Sequence, residues 1–145
     1  MRRGQLSLDL LFAVTLIAIT MLNIIYTANE QITYTQTLDV TARLKIFSID
    51  LRDSIVKAYS VGDGYSLRKQ MPFSLNTGDS IIVTLNSTLN VLQINATVNN
   101  IQYYIVQNIT VPIYTDSRII LNSTTTSFWI DVNRRGDIIY VTFRT

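Results

Sequence analysis

Three hydrophobic patterns follow one another along this 145-residue chain. From Gln5 to Asn29 the positions are apolar on every side, interrupted only by Gln5, Asp9, Asn23, Asn29 and scattered Ser and Thr. No charged residue stands between Asp9 and Glu30. The intervening stretch, taken at ~1.5 Å per residue, spans roughly 30 Å, the depth of a bilayer's hydrocarbon core. From residue 30 to 62 the period stays helical but the apolar positions narrow to a stripe. Val40, Leu44, Phe47, Leu51, Ile55 and Ala58 recur at steps of three and four, with Asp39, Arg43, Lys45, Asp50, Arg52, Asp53 and Lys57 between them. No Pro or Gly interrupts residues 5–61. The pattern predicts one long helix, transmembrane first and amphipathic afterwards. Gly62 and Asp63-Gly64 are placed to end it, because glycine takes the left-handed C-terminal conformation cheaply.

From residue 63 the period changes to two. Leu92, Ile94, Ala96 and Val98 alternate with polar partners, as do Ile101, Tyr103, Ile105, Ile109 and Val111, and as do Phe128, Ile130 and Val132. Alternation of this kind marks half-buried strands. Turn signals fall at Asn76-Thr77-Gly78-Asp79, Asn86-Ser87, Asn99-Asn100, Thr115-Asp116-Ser117 and Asn133 to Asp137. The last predicts a hairpin joining strands near 127–132 and 138–144. The expected fold is α+β, a long N-terminal helix packed on an antiparallel β-domain of six or seven strands. About eighty residues make a thin core, so the stripe on the second half-helix is expected to complete it.

Composition removes several chemistries. Cys and His are both absent, which excludes disulfides, thiolate metal sites and the commonest general base. No phosphate loop, nucleophile elbow or metal motif appears, so neither an enzyme nor a cofactor is expected. The net charge of +2 belongs to Arg2 and Arg3; beyond them basic and acidic residues balance. With no basic cluster bearing interleaved aromatics, a nucleic-acid partner is not expected.

The N-terminus carries the most specific signal, Arg2-Arg3-Gly4-Gln5-Leu6-Ser7-Leu8-Asp9. An ordinary secretory signal places small residues after its apolar run, but here Tyr26 fits that rule badly. The glycine instead precedes the run, directly after the arginines. This arrangement resembles the class III signal peptide of archaeal type IV pilins, in which a prepilin peptidase cuts before the glutamine of a Gln-x-Ser-x-Glu motif. Gln5 and Ser7 match; Asp9 keeps the carboxylate on a shorter stem; Ala13 stands where that family usually has Leu. The resemblance covers the first thirty residues. It implies cleavage between Gly4 and Gln5, recognition through Arg2, Arg3, Gln5, Ser7 and Asp9, and assembly through the helix with sister pilins and the pilus machinery. Residues 1–4 are then a cleaved leader, 5–29 the membrane and filament-core helix, 30–62 its amphipathic extension and 63–145 an extracytoplasmic β-rich domain. The flanking arginines keep the precursor's N-terminus cytoplasmic, and the mature protein is expected in a cell-surface filament. The alternative is an uncleaved membrane-anchored extracellular binding module, which has no need of Gly4-Gln5 or of an acid at Asp9.

Four Asn-x-Ser/Thr sequons, at Asn86, Asn95, Asn108 and Asn122, are candidate N-glycosylation acceptors. Asn95 and Asn108 fall on polar faces of strands, Asn86 and Asn122 in turns. Trp129 and Tyr104 sit opposite the apolar face as candidates for a subunit contact. Asp79, Asp116, Asp131 and Asp137 lack the spacing of a calcium loop and read as solvated turn residues.

Asp9 carries a physical argument of its own. A carboxylate costs roughly 2.5–3.5 kcal/mol near a bilayer centre and less near its edge. Cleavage before Gln5 creates a partner for it, a terminal ammonium four residues away on the same helix face or the same charge on a neighbouring subunit. Replacement of Asp9 by Ala is expected to leave processing intact and to lower filament yield; normal yield in a filament-recovery assay counts against the pairing.

Overall fold

The computed structural model describes residues 2–145, with side chains from Leu8 onward. Helix α1 runs Arg2–Val61. Seven strands follow: β1 Ser66–Gln70, β2 Ser80–Asn86, β3 Val91–Val98, β4 Ile101–Asn108, β5 Ser117–Leu121, β6 Ser127–Arg135 and β7 Ile138–Arg144. The fold is α+β, as the change of period implies. The chain divides into two compact units, residues 1–39 and 40–145. The composition boundary at 29/30 marks where charge returns. The structural division marks where α1 begins to pack on the hydrophobic core, at Val40.

In the first unit every side chain from Leu8 to Gln36 is exposed. Leu8, Leu10, Leu11, Phe12, Val14, Leu16 and Ile17 are each more than half accessible. They occupy seven of ten consecutive positions, so no azimuth of the helix is polar. A helix apolar all round needs an apolar surrounding. The polar side chains inside it are turned back on their own helix. Thr15 donates to the Leu11 carbonyl at 2.8 Å, Thr20 to Leu16 at 2.8 Å, Asn23 to Ile19 at 3.1 Å and Thr27 to Asn23 at 2.9 Å. This bonding hides donors that would otherwise be costly in hydrocarbon. The helix is long and apolar enough to cross a membrane, and its most apolar window has no buried residue.

In the second unit the predicted stripe is the inner face of α1. Leu44, Leu51, Ile55 and Ala58 are fully buried, Phe47 nearly so, and Val40 packs at the margin. Burying each of the larger side chains contributes roughly 1.5–3 kcal/mol. They meet two antiparallel sheets, β1-β6-β7 and β4-β3-β2-β5. Ile81, Val83 and Leu85 of β2, Leu92, Ile94, Ala96 and Val98 of β3, and Phe128, Ile130 and Val132 of β6 complete the core. Phe128 meets Phe143 edge to face at 5.4 Å. Two polar ties fix the helix to the strands: Lys69 to Asp50 at 2.7 Å, and the Gln107 amide to the buried Ser48 hydroxyl at 3.1 Å. Sheet meets sheet at β5 and β7, where the Phe143 N–H donates to Ser117 Oγ at 2.8 Å.

The turns follow their residues. Gly62, at φ +96°, ends α1, and its N–H bonds the Ala58 carbonyl at 3.1 Å, the single-bond left-handed cap. Asn99 and Asn100 both take positive φ, giving the two-residue turn whose twist matches a hairpin. Val98 is thereby set opposite Ile101.

Two expectations shift. β6 continues to Arg135 rather than ending at 132, because Gly136, at φ +62°, confines the turn to Gly136-Asp137. Ile109 and Val111 leave the alternation of β4. Asn90 captures that segment: its Nδ2 donates to the Ile109 and Val111 carbonyls at 2.7 and 3.1 Å, and its Oδ1 accepts from the Ile113 N–H at 2.8 Å. A side chain that substitutes for a strand's hydrogen bonds leaves no periodicity to read.

Leu51→Ala is expected to destabilise the domain by roughly 2–5 kcal/mol through transfer and cavity costs. Ile46→Ala, at a side chain 67% exposed, should stay within about 0.5 kcal/mol. Denaturant unfolding of the two variants, followed by circular dichroism, compares them.

Candidate functional site

The N-terminal motif lies on α1. The side chains of Arg2, Arg3, Gly4, Gln5 and Ser7 fall outside the described residues, and so does the proposed Gln5 partner of Asp9. Asp9 itself is exposed among Leu8, Leu10 and Leu11. A carboxylate in that position sits at the polar end of an apolar cylinder, where either interfacial water or a cation can satisfy it.

The four sequons come together in a way no spacing announces. The register sets Ile82 opposite Asn95 and Asn95 opposite Tyr104, so these three share one face. Alternation from there puts Asn86 of β2 and Asn108 of β4 on the same face. Asn122 follows directly after β5, where Leu121 pairs with Ile81, and continues that parity. Each strand of the four-stranded sheet thus supplies or directly precedes one sequon on its outer side. Asn95 and Asn108 are exposed; Asn86 and Asn122 are half-buried. The half-burial has a local cause. Asn86 Oδ1 accepts from the Leu89 N–H at 2.8 Å, and Asn122 Oδ1 accepts from the Thr124 N–H and hydroxyl at 3.0 and 2.7 Å. In both the carbonyl oxygen is engaged, and among the described residues neither Nδ2 donates within the chain. The amide nitrogen is the atom a glycan would join.

The two aromatics singled out from the sequence part company. Tyr104 is 62% exposed on the sequon-bearing face. Trp129 is half-buried, with the Arg144 guanidinium 5.8 Å from its ring, a cation–π contact that covers one face of the indole. Arg144 also bonds Asp131 at 2.5 Å, and Ser66 donates to the same carboxylate at 2.6 Å. The Arg144 hydrogen bond, against the desolvation that burial imposes and with help from Ser66, holds Asp131 below its ordinary value of 3.8. This network ties β1, β6 and β7 on their outer side. Asp79 and Asp116 are turn-builders. Asp79 accepts from the Asn76 and Asn99 N–H groups at 3.1 and 2.8 Å, and Asp116 from the Ser87 N–H and hydroxyl, each at 2.7 Å. Among the described residues no group of carboxylates is arranged to hold a metal ion.

Reasoning from sequence missed Asn90, whose signal was an Asn at a hairpin loop's last position. It also missed the common face of the sequons, which requires the register.

Because the folded Asp131 carboxyl titrates below its unfolded value, its contribution to stability is present above about pH 4 and lost as pH falls through the depressed value. Asp131→Asn is expected to lower the melting temperature at pH 7, with the gap to wild type closing as pH falls below the ordinary carboxylate range; thermal melts from neutral to acid pH measure it. No protein-family model, curated protein or solved structure matches the chain.

Proposed function

We propose that this chain is the precursor of a structural subunit, a major or minor pilin of an archaeal type IV pilus-like surface filament. A prepilin peptidase removes residues 1–4, and the mature subunit passes from the membrane into the filament through its N-terminal helix. The observation that carries this reading is the division of α1. Residues 8–29 are apolar on nearly every side, and every side chain from Leu8 to Gln36 is exposed, while residues 44–58 bury a single stripe under the domain's own sheets. An apolar helix in water is untenable, so the first part requires lipid before assembly and sister helices after it. The second part needs nothing beyond its own strands.

Asp9 supports the same reading. An acid near the start of such a helix is of no use to a plain anchor, whereas in a bundle of staggered helices it fixes axial position, since a displaced subunit leaves a charge unpaired. The four-sequon face of the β-domain lies outside the cell under this topology, and the exposed Asn95 and Asn108 are its first acceptors for glycans.

Mass spectrometry of the native protein tests both parts. A chain beginning at Gln5, with mass above that of the unmodified polypeptide, is the expected result. A chain beginning at Met1 or Arg2 leaves a tethered extracellular module instead, and an unmodified mass removes the glycan assignment.

A further inference from the structure

Four sheet edges arise from two sheets, and they are treated unequally. β5 and β7 lie against each other through the Phe143–Ser117 bond. β1 is five residues long and carries Arg68 and Lys69, the charges that discourage another strand from pairing there. β4 has no such guard. It is eight residues, Ile-Gln-Tyr-Tyr-Ile-Val-Gln-Asn, free of charge, Pro and Gly. Indeed no charged residue occurs anywhere between Asp79 and Asp116.

The backbone of β4 is set for pairing. A two-residue turn makes its flanking pair, Val98 and Ile101, a hydrogen-bonded pair. Odd-numbered residues of β4 therefore point their N–H and C=O groups at β3, and even-numbered ones point away. Among the described residues no hydrogen bond within the chain uses the outward groups of Gln102, Tyr104 or Val106. On the inner side, Tyr103 and Ile105 are only half-buried at the core margin. On the outer side, Tyr104 and Val106 are 62% and 43% exposed.

We infer that β4 is a strand-addition edge whose occupant is the β4 of a second copy of this chain, paired antiparallel about a two-fold axis centred on Ile105. That register sets Tyr104 opposite Val106 of the second copy, an aromatic against a β-branched side chain, and Gln102 opposite Asn108. The first is a favourable cross-strand pair, and the second sets amide against amide. It also brings the two Ile105 side chains together, extending each core margin across the axis. Centring on Tyr104 instead sets Gln102 against Val106, polar against apolar. No like charges meet in either case, so nothing in the sequence opposes the approach. Asn108 projects from the face of the sheet rather than along its edge, so a glycan there is compatible with pairing.

The pairing uses only residues 101–108 and does not depend on cleavage before Gln5. Joined to the filament reading, it has a direction: a closed two-fold pair cannot be repeated along a polar helical array. It links subunits of two adjacent filaments, side by side.

The chain has no cysteine, so engineered thiols report cleanly. The test uses the full chain in detergent micelles carrying Gln102→Cys with Asn108→Cys. These positions face each other between copies at about 5.5 Å between Cα atoms, within disulfide reach. Within one copy they are separated by about 20 Å of strand. Oxidation is expected to give a covalent dimer, whereas Ser66→Cys with Gln70→Cys on the guarded β1 edge gives none. Adding Val106→Pro, which removes only an outward N–H, should cut the dimer yield about tenfold with an unchanged melt. Tyr104→Lys, at an exposed side chain, should cut it as well. Absence of the dimer, equal dimer from both edges, or a yield indifferent to both substitutions overturns the inference.

Discussion

The structure depends on how much of the circumference of α1 is apolar. A sheet can cover only one side of a helix. The stripe from Leu44 to Ala58 occupies one side, and two sheets cover it completely. The run from Leu8 to Ile25 occupies every side, and no single sheet could satisfy it. Only a medium that surrounds the helix can do so, whether lipid tails or a ring of similar helices. One uninterrupted secondary-structure element thus has two different solvents written into it.

That constraint shapes the rest. Because the domain draws its helix from the amphipathic part, its core closes without help from residues 1–39, and seven short strands suffice. Polar groups respect the same division. In the first unit Thr and Asn side chains bond back to the preceding turn of their own helix. In the second they reach across the fold: Gln107 to Ser48, Lys69 to Asp50, Asn90 to the segment 109–113. The former make a helix tolerable in hydrocarbon; the latter specify one arrangement of strands.

The four-stranded sheet stands apart electrostatically. With charge confined to Arg118 of β5, its outer face presents amides, hydroxyls and a few apolar side chains. Such a surface gains little from ionic repulsion against unwanted neighbours. Glycans on its asparagines, as proposed, and a defined pairing partner for β4 would be two compatible ways for a surface of this kind to stay specific.

Much of this was legible in the chain itself. Helix length, the end at Gly62 and the stripe from Val40 to Ala58 follow from period and from the absence of Pro and Gly, because a helix encodes its faces locally. The alternation in residues 91–98 and 101–105 declared strands for the same reason, and Asn99-Asn100 declared their hairpin. What alternation cannot encode is which strand lies beside which. Only the tertiary structure split seven strands into sheets of three and four, and brought Asn86, Asn95, Asn108 and Asn122 to one face. It also let Asn90 replace a strand by side-chain hydrogen bonds, left Trp129 under Arg144, and made β4 an open edge. Each of these rests on contacts between residues far apart in sequence, whose energy depends on register and burial rather than on the identity of neighbours along the chain.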